Sequence, residues 1–218
     1  MPVGPTSIAA IFFDFDGVLV DSEPLHYRCW MEAVRSHGGY MDWPEYNQNL
    51  TGQTDRSAAE TLLTPTGIDV TEQLIKTVSL AKRNAFQKAL LSELSVAKEV
   101  SLWINNNIYN LYLGVVSSSC SSEVVPLLRK AKIHDRLDVL VFGDHVKQHK
   151  PNPEPYLTAL ARVNALASTP ISASQCVVIE DSAPGIAAGE AAGMVTKAVR
   201  GPYEVVATLG MALSGARR

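Results

Sequence analysis

Short apolar runs rich in β-branched and aromatic residues recur at Ile8 to Phe13, Tyr112 to Val116, Val139 to Phe142, Cys176 to Ile179 and Met194 to Val199, with longer stretches of helical spacing between them. The first is apolar at consecutive positions rather than at every second one, the pattern of a strand covered on both faces. Strands that alternate with helices predict an α/β chain built on a doubly wound, Rossmann-like parallel sheet. The stretch between the first two runs breaks this rhythm. From Val20 to Leu94 the chain has helical periodicity (Leu25, Cys29, Trp30, Ala33, Val34; then Leu74, Val78, Ala81, Ala85) and no strand. It is too long for one crossover helix and predicts an inserted helical subdomain at 20–94, with the sheet built from 1–19 and 95–218.

Polar positions mark the element ends. Asp21 or Ser22 can cap the first helix of the insert, Pro24 suits an early helical position, and Gly38 with Gly39 stops it. Thr71 followed by Glu72 opens another, and the polar segment Asn47 to Arg56, around Gly52, is expected to be a loop. Trp30 and Trp103 lie in apolar helical patterns and predict packing.

Composition narrows the classes. The 218 residues, 46% hydrophobic, suit a soluble globular chain with a modest insertion. A formal charge of -3 without basic clusters argues against nucleic acid or an anionic membrane surface as the main partner. Cys29, Cys120 and Cys176 include no CxxC pair, so neither a disulfide framework nor a zinc knuckle is expected, and a reducing cytoplasm is the simplest home. The opening MPVGPTSIAAIFFDFDG has no basic n-region and Asp14 cuts its apolar run; it reads as a short tail before the first strand, not as a signal peptide or anchor.

The candidate chemistry lies at strand ends. DFDG follows the first strand, SSSCSSE the second, KPNPEPY comes shortly after the third, and EDSAPG follows the fourth. In a parallel sheet these stretches converge on one edge, where open α/β folds bind ligands, so Asp14, Asp16, Ser117, Lys150, Glu180 and Asp181 come within reach of one small molecule. Carboxylates gathered there repel one another and raise each other's pKa values unless a cation sits among them. An all-oxygen ligand set suits a hard ion, and Mg²⁺ is the natural choice. Lys150 adds a point charge for a phosphate, and the hydroxyl of Ser117, or of Ser118 beside it, joins backbone N–H groups at a helix start to form an anion cradle. Phosphoryl transfer needs little more. Aspartate, with a reference pKa of about 3.9, is ionised at neutral pH and can attack phosphorus without a neighbouring base. A second aspartate two residues on can protonate the leaving alcohol and then deprotonate water.

DFDGVLVDSE, Ser117, Lys150 in KPNPEPY, and IEDSAPGIAAGEAAGM together resemble the four ordered motifs of the haloacid dehalogenase superfamily, and the helical insert resembles the cap of its β-phosphoglucomutase-like phosphatases. The resemblance implies Asp14 as nucleophile, Asp16 as general acid/base that also gives its backbone carbonyl to Mg²⁺, Ser117 and Lys150 as phosphate binders, and Glu180 with Asp181 at the metal. It also implies that His26 lies near the active-site entrance. A monomer acting on a small phosphorylated metabolite, such as a sugar phosphate, is expected. Resembling mutases carry a cap loop GxSR whose arginine holds a second phosphate; here the stretch is Gly52-Gln53-Thr54-Asp55, with Arg56 and Arg83 as possible substitutes. This departure favours a phosphatase over a mutase. Dehalogenation is disfavoured because a leaving halide gives Asp16 no task, and a receiver-like phospho-acceptor module because its acids come in a different order and it lacks the insert.

Overall fold

The computed structural model describes residues 7–51 and 53–214. These belong to two compact units, one drawn from Met1–Asp21 with Ser95–Arg218 and the other from Ser22–Leu94.

The second unit is helical: α1 (Glu23–Val34), α2 (Trp43–Asn49), α3 (Asp55–Leu63) and α4 (Glu72–Glu93). Its core gathers Trp30, Val34, Met41, Tyr46, Leu50, Ala58, Ala59, Leu62, Leu63, Ile75 and Val78. Thr71 caps α4 by accepting from the Leu74 N–H. Ser22 occupies the cap position of α1 without a side-chain cap bond, because its backbone is already helical rather than extended. Of the segment expected as a loop at Asn47 to Arg56, only the two ends are helical, and residues 50, 51, 53 and 54 lie outside helices. Asp42 caps α2 through Asn49, and Thr54 caps α3 from Asp55, so side-chain acceptors shorten the connection to a few residues. Gly52 lies outside the described residues, as do residues 1–6 of the expected tail. The buried stripe of α4 also differs from the expected Leu74, Val78, Ala81 and Ala85: it runs through Ile75, Val78, Ser79, Lys82, Phe86 and Leu90. Phe86 and the long stem of Lys82 bury more apolar surface than the two alanines, and this sets the helix rotation.

The first unit holds a five-stranded parallel sheet in the order β3-β2-β1-β4-β5, made of β1 (Ala10–Phe13), β2 (Tyr112–Val116), β3 (Val139–Val141), β4 (Cys176–Glu180) and β5 (Val195–Ala198). Helices α5 (Lys98–Asn106), α6 (Ser121–Lys130), α7 (Glu154–Leu166), α8 (Ala183–Ala191) and α9 (Pro202–Ser214) complete it. The four residues of β1 are fully buried because its side chains pack on both faces. Phe12 joins Tyr156, Ala159 and Val163 of α7, while Phe13 meets Trp103 of α5 edge-on. Truncating Phe12 to alanine should cost about 3–5 kcal/mol. β5 is an edge strand, and Val195, Lys197 and Ala198 are exposed, so this last apolar run is buried only at its flanks, Met194 and Val199. Sequence order reverses direction across β1 and β4, which places a topological switch point beside the carboxyl end of β1. No described helix is long and apolar enough to cross a membrane.

Candidate active site

Strand register builds the site. Phe13 pairs with Val115 on β2 and with Ile179 on β4. The next residues, Asp14, Val116 and Glu180, therefore form one row across three strands. Lys150, from the Pro-rich segment before α7, donates to all three: 2.5 Å to Asp14 Oδ1, 2.9 Å to the Val116 carbonyl and 2.6 Å to Glu180 Oε1. An ammonium has three donors, and these partners use them all. The side chains of Lys150, Asp14 and Glu180 are 5%, 10% and 0% exposed, so the charges face one another instead of water.

Glu180 is a hub. Its Oε1 also accepts from the Tyr156 hydroxyl at 2.9 Å, and its Oε2 accepts from the Asp181 N–H, the Ser182 N–H and the Ser182 hydroxyl. The carboxylate fits because residue 185 is glycine: a Cβ there would lie 1.8 Å from Glu180 Oε1. Gly17 serves Asp181 in the same way. Its φ of +74° is left-handed, and a Cβ would lie 1.8 Å from Asp181 Oδ2.

Asp14, Glu180 and Asp181 each offer a carboxylate oxygen, and these lie within 4.8 Å of one another. Burial first, then Glu180, Asp16 and Asp181, holds the Asp14 carboxyl well above its ordinary range despite the opposing pull of Lys150. Desolvation, reinforced by Glu180, pushes Asp181 up to about 7. Asp181 is exposed as a residue, but its carboxyl packs on the bare face of Gly17, which reconciles the two. Burial alone would pull the Lys150 ammonium down; Asp14, Tyr156 and Glu180 outweigh it, and its pKa lies well above the ordinary value. Of this pair Lys150 keeps its proton, because three acceptors face one ammonium. The donor set is all oxygen, as a hard divalent cation requires.

Asp16 stands outside that acidic trio and accepts from the Ser119 hydroxyl at 2.6 Å. Ser117 is buried, and its hydroxyl accepts from the Ser119 N–H at 3.0 Å, shaping the turn into α6; Ser118 is exposed. The three candidates in the helical unit are all engaged within it. His26 stacks on Phe86 at 4.0 Å, Arg56 pairs with Glu60 and Glu72, and Arg83 pairs with Asp55 at 3.2 Å.

Residues 11–199 match the family described as haloacid dehalogenase-like hydrolase. The chain belongs to this family. It is 32% identical over 187 residues to the phosphorylated carbohydrates phosphatase of Thermotoga maritima, covering 85% of this chain and 82% of that one. To the fructose-1-phosphate phosphatase YqaB of Escherichia coli it is 29% identical, covering 88% of this chain and 96% of that one. Among solved structures, β-phosphoglucomutase from Clostridium difficile superposes with a TM-score of 0.70 at 25% identity, covering 92% of this chain and 88% of that one.

Four contributors escape motif reading of this hydrolase: Ser119, Tyr156, Ser182 and Gly185. Each sits inside a quoted motif, but the sequence shows no partner for it. Ser182 alone carried a signal, since a serine before Ala-Pro-Gly is a helix cap, and it does accept from the Gly185 N–H.

Proposed function

We propose that this phosphatase hydrolyses small phosphomonoesters, sugar phosphates or related metabolites, with Mg²⁺ bound and an aspartyl-phosphate formed on Asp14. The observation that carries this reading is the Lys150 ammonium bridging Asp14 and Glu180 in one row at the carboxyl edge of the sheet. In it, the Asp14 carboxylate attacks phosphorus while the ester P–O bond breaks, and Asp16 gives its proton to the departing oxygen. Ser119 holds the Asp16 carboxyl in place for this. A water then gives its proton to Asp16 and attacks phosphorus, releasing phosphate and the Asp14 carboxylate. Lys150, the Ser117 hydroxyl and the N–H groups that open α6 bind the phosphoryl oxygens. Asp14 and Asp181 would hold Mg²⁺, with the Asp16 backbone carbonyl; Glu180, which the sequence placed at the metal, has both oxygens engaged by Lys150, Tyr156, Asp181 and Ser182 and would brace both acids instead. The ion would supply charge neutralisation to the phosphoryl group.

The names of the two phosphatase relatives, a phosphorylated carbohydrates phosphatase and a fructose-1-phosphate phosphatase, support a phosphorylated carbohydrate as the class. A mutase reading draws on the likeness to β-phosphoglucomutase. Against it, Arg56 and Arg83 are each committed to carboxylates of their own unit. Purified protein should release phosphate from p-nitrophenyl phosphate and from fructose 1-phosphate when Mg²⁺ is present. Full turnover in EDTA would count decisively against the reading, and conversion of β-glucose 1-phosphate to glucose 6-phosphate would replace hydrolysis by mutation.

A further inference from the structure

We infer that Tyr156 is a positioning residue for the reaction: its hydroxyl and ring hold the Glu180–Lys150 pair in the alignment that Asp14 requires. This rests on the phosphatase reading above and adds a residue that touches neither substrate nor metal.

Tyr156 is fully buried at the start of α7, six residues after Lys150. Its hydroxyl donates to Glu180 Oε1 at 2.9 Å, the same oxygen that Lys150 takes at 2.6 Å. Its ring lies beneath the ammonium, with Lys150 Nζ 5.1 Å from the centroid. Tyr156 thus fixes one ion pair from both ends, the acid by a hydrogen bond and the base by its π-face. Glu180 Oε2 is already saturated by Asp181 and Ser182, so Oε1 is the oxygen whose charge must be divided. Without the phenol, that oxygen draws on Lys150 alone. The ammonium then settles toward Glu180 and away from the oxygen of Asp14 that it must flank. A buried tyrosine hydroxyl is not needed for packing at this site, since phenylalanine fills the same volume.

Tyr156→Phe keeps the ring and removes only the donor. With p-nitrophenyl phosphate and Mg²⁺, kcat should fall about tenfold while KM stays within about twofold, because the lost interaction aligns the nucleophile rather than binding the ester. The thermal unfolding midpoint should fall by less than about 4 °C. In a Glu180→Gln background the same change should reduce the residual kcat by less than about twofold, since the path through Glu180 is already cut. Tyr156→Phe turning over at the wild-type rate, or losing its tenfold in both backgrounds, would overturn the inference. If Asp14→Asn is inert and wild type active, such a result sinks the role of Tyr156 alone. No turnover by the wild type would remove the phosphatase reading and this inference together.

Discussion

Lys150 in the sheet unit and Lys82 in the helical unit are nearly equally buried, with side chains 5% and 9% exposed. Lys150 meets two carboxylates and a carbonyl, delivered by three adjacent strands. Lys82 meets one carboxylate, Asp55 at 3.1 Å, which is itself 32% exposed, and lies 5.4 and 5.6 Å from the ring centres of Trp30 and Phe86. Burial of a cation is therefore no sign of chemistry in itself. In the helical unit it follows from helix rotation, with the lysine stem serving as apolar surface. In the sheet unit the acids outnumber the base, an imbalance that the proposed cation would relieve.

Substitutions separate the two cases. The largest effect is expected at Asp14→Asn, where kcat should drop by at least about 10³-fold with the fold intact, as measured by phosphate release beside circular dichroism. Next comes Lys150→Met. It strands Asp14 and Glu180 without their shared partner, and removing one member of a buried pair costs about 3–5 kcal/mol in denaturant unfolding. Activity should vanish with it. Lys82→Met should change stability by less than about 1 kcal/mol, because a long apolar chain replaces the stem and Asp55 can turn to water or to Arg83. If Lys82→Met proves as damaging as Lys150→Met, the distinction drawn here fails.

A pH experiment sharpens the contrast on the acid side. The Asp181 carboxyl is pushed up to about 7, above its unfolded value, so the folded chain binds the proton more tightly than the unfolded chain does. Its favourable contribution is complete below about pH 4 and is lost as pH rises through about 7. In EDTA, Asp181→Asn should match wild type near pH 4 and become the more stable protein by pH 8, read from unfolding midpoints. The gap should be modest, since solvent still reaches Asp181. Saturating Mg²⁺ should reverse the order. Smallest of all is Arg56→Ala: its pairs with Glu60 and Glu72 are at the surface, and no change in midpoint is expected.

Much of the site is legible in the sequence because its residues follow strands. β1, β2 and β4 appear as consecutive apolar runs, and parallel topology then brings Asp14, Ser117 and Glu180 to one edge. The helical unit was harder to read. Asp42 and Thr54 cap helices that take up both ends of an apparently polar loop, and the buried stripe of α4 is one residue away from the alanines that suggested it. Near-equal faces on a helix leave rotation to be settled by packing.

What the chain determines by itself is which residue types stand at strand ends and in what order, because burial on two faces imposes a local pattern that any stretch of sequence displays. Only the tertiary structure decides that Phe13 lies level with both Val115 and Ile179, so that one ammonium reaches three strands. It alone pairs Ser119 with Asp16 and Tyr156 with Glu180, contacts that span 103 and 24 positions of sequence. Register and long-range hydrogen bonds depend on how distant segments pack together, and no local pattern encodes them.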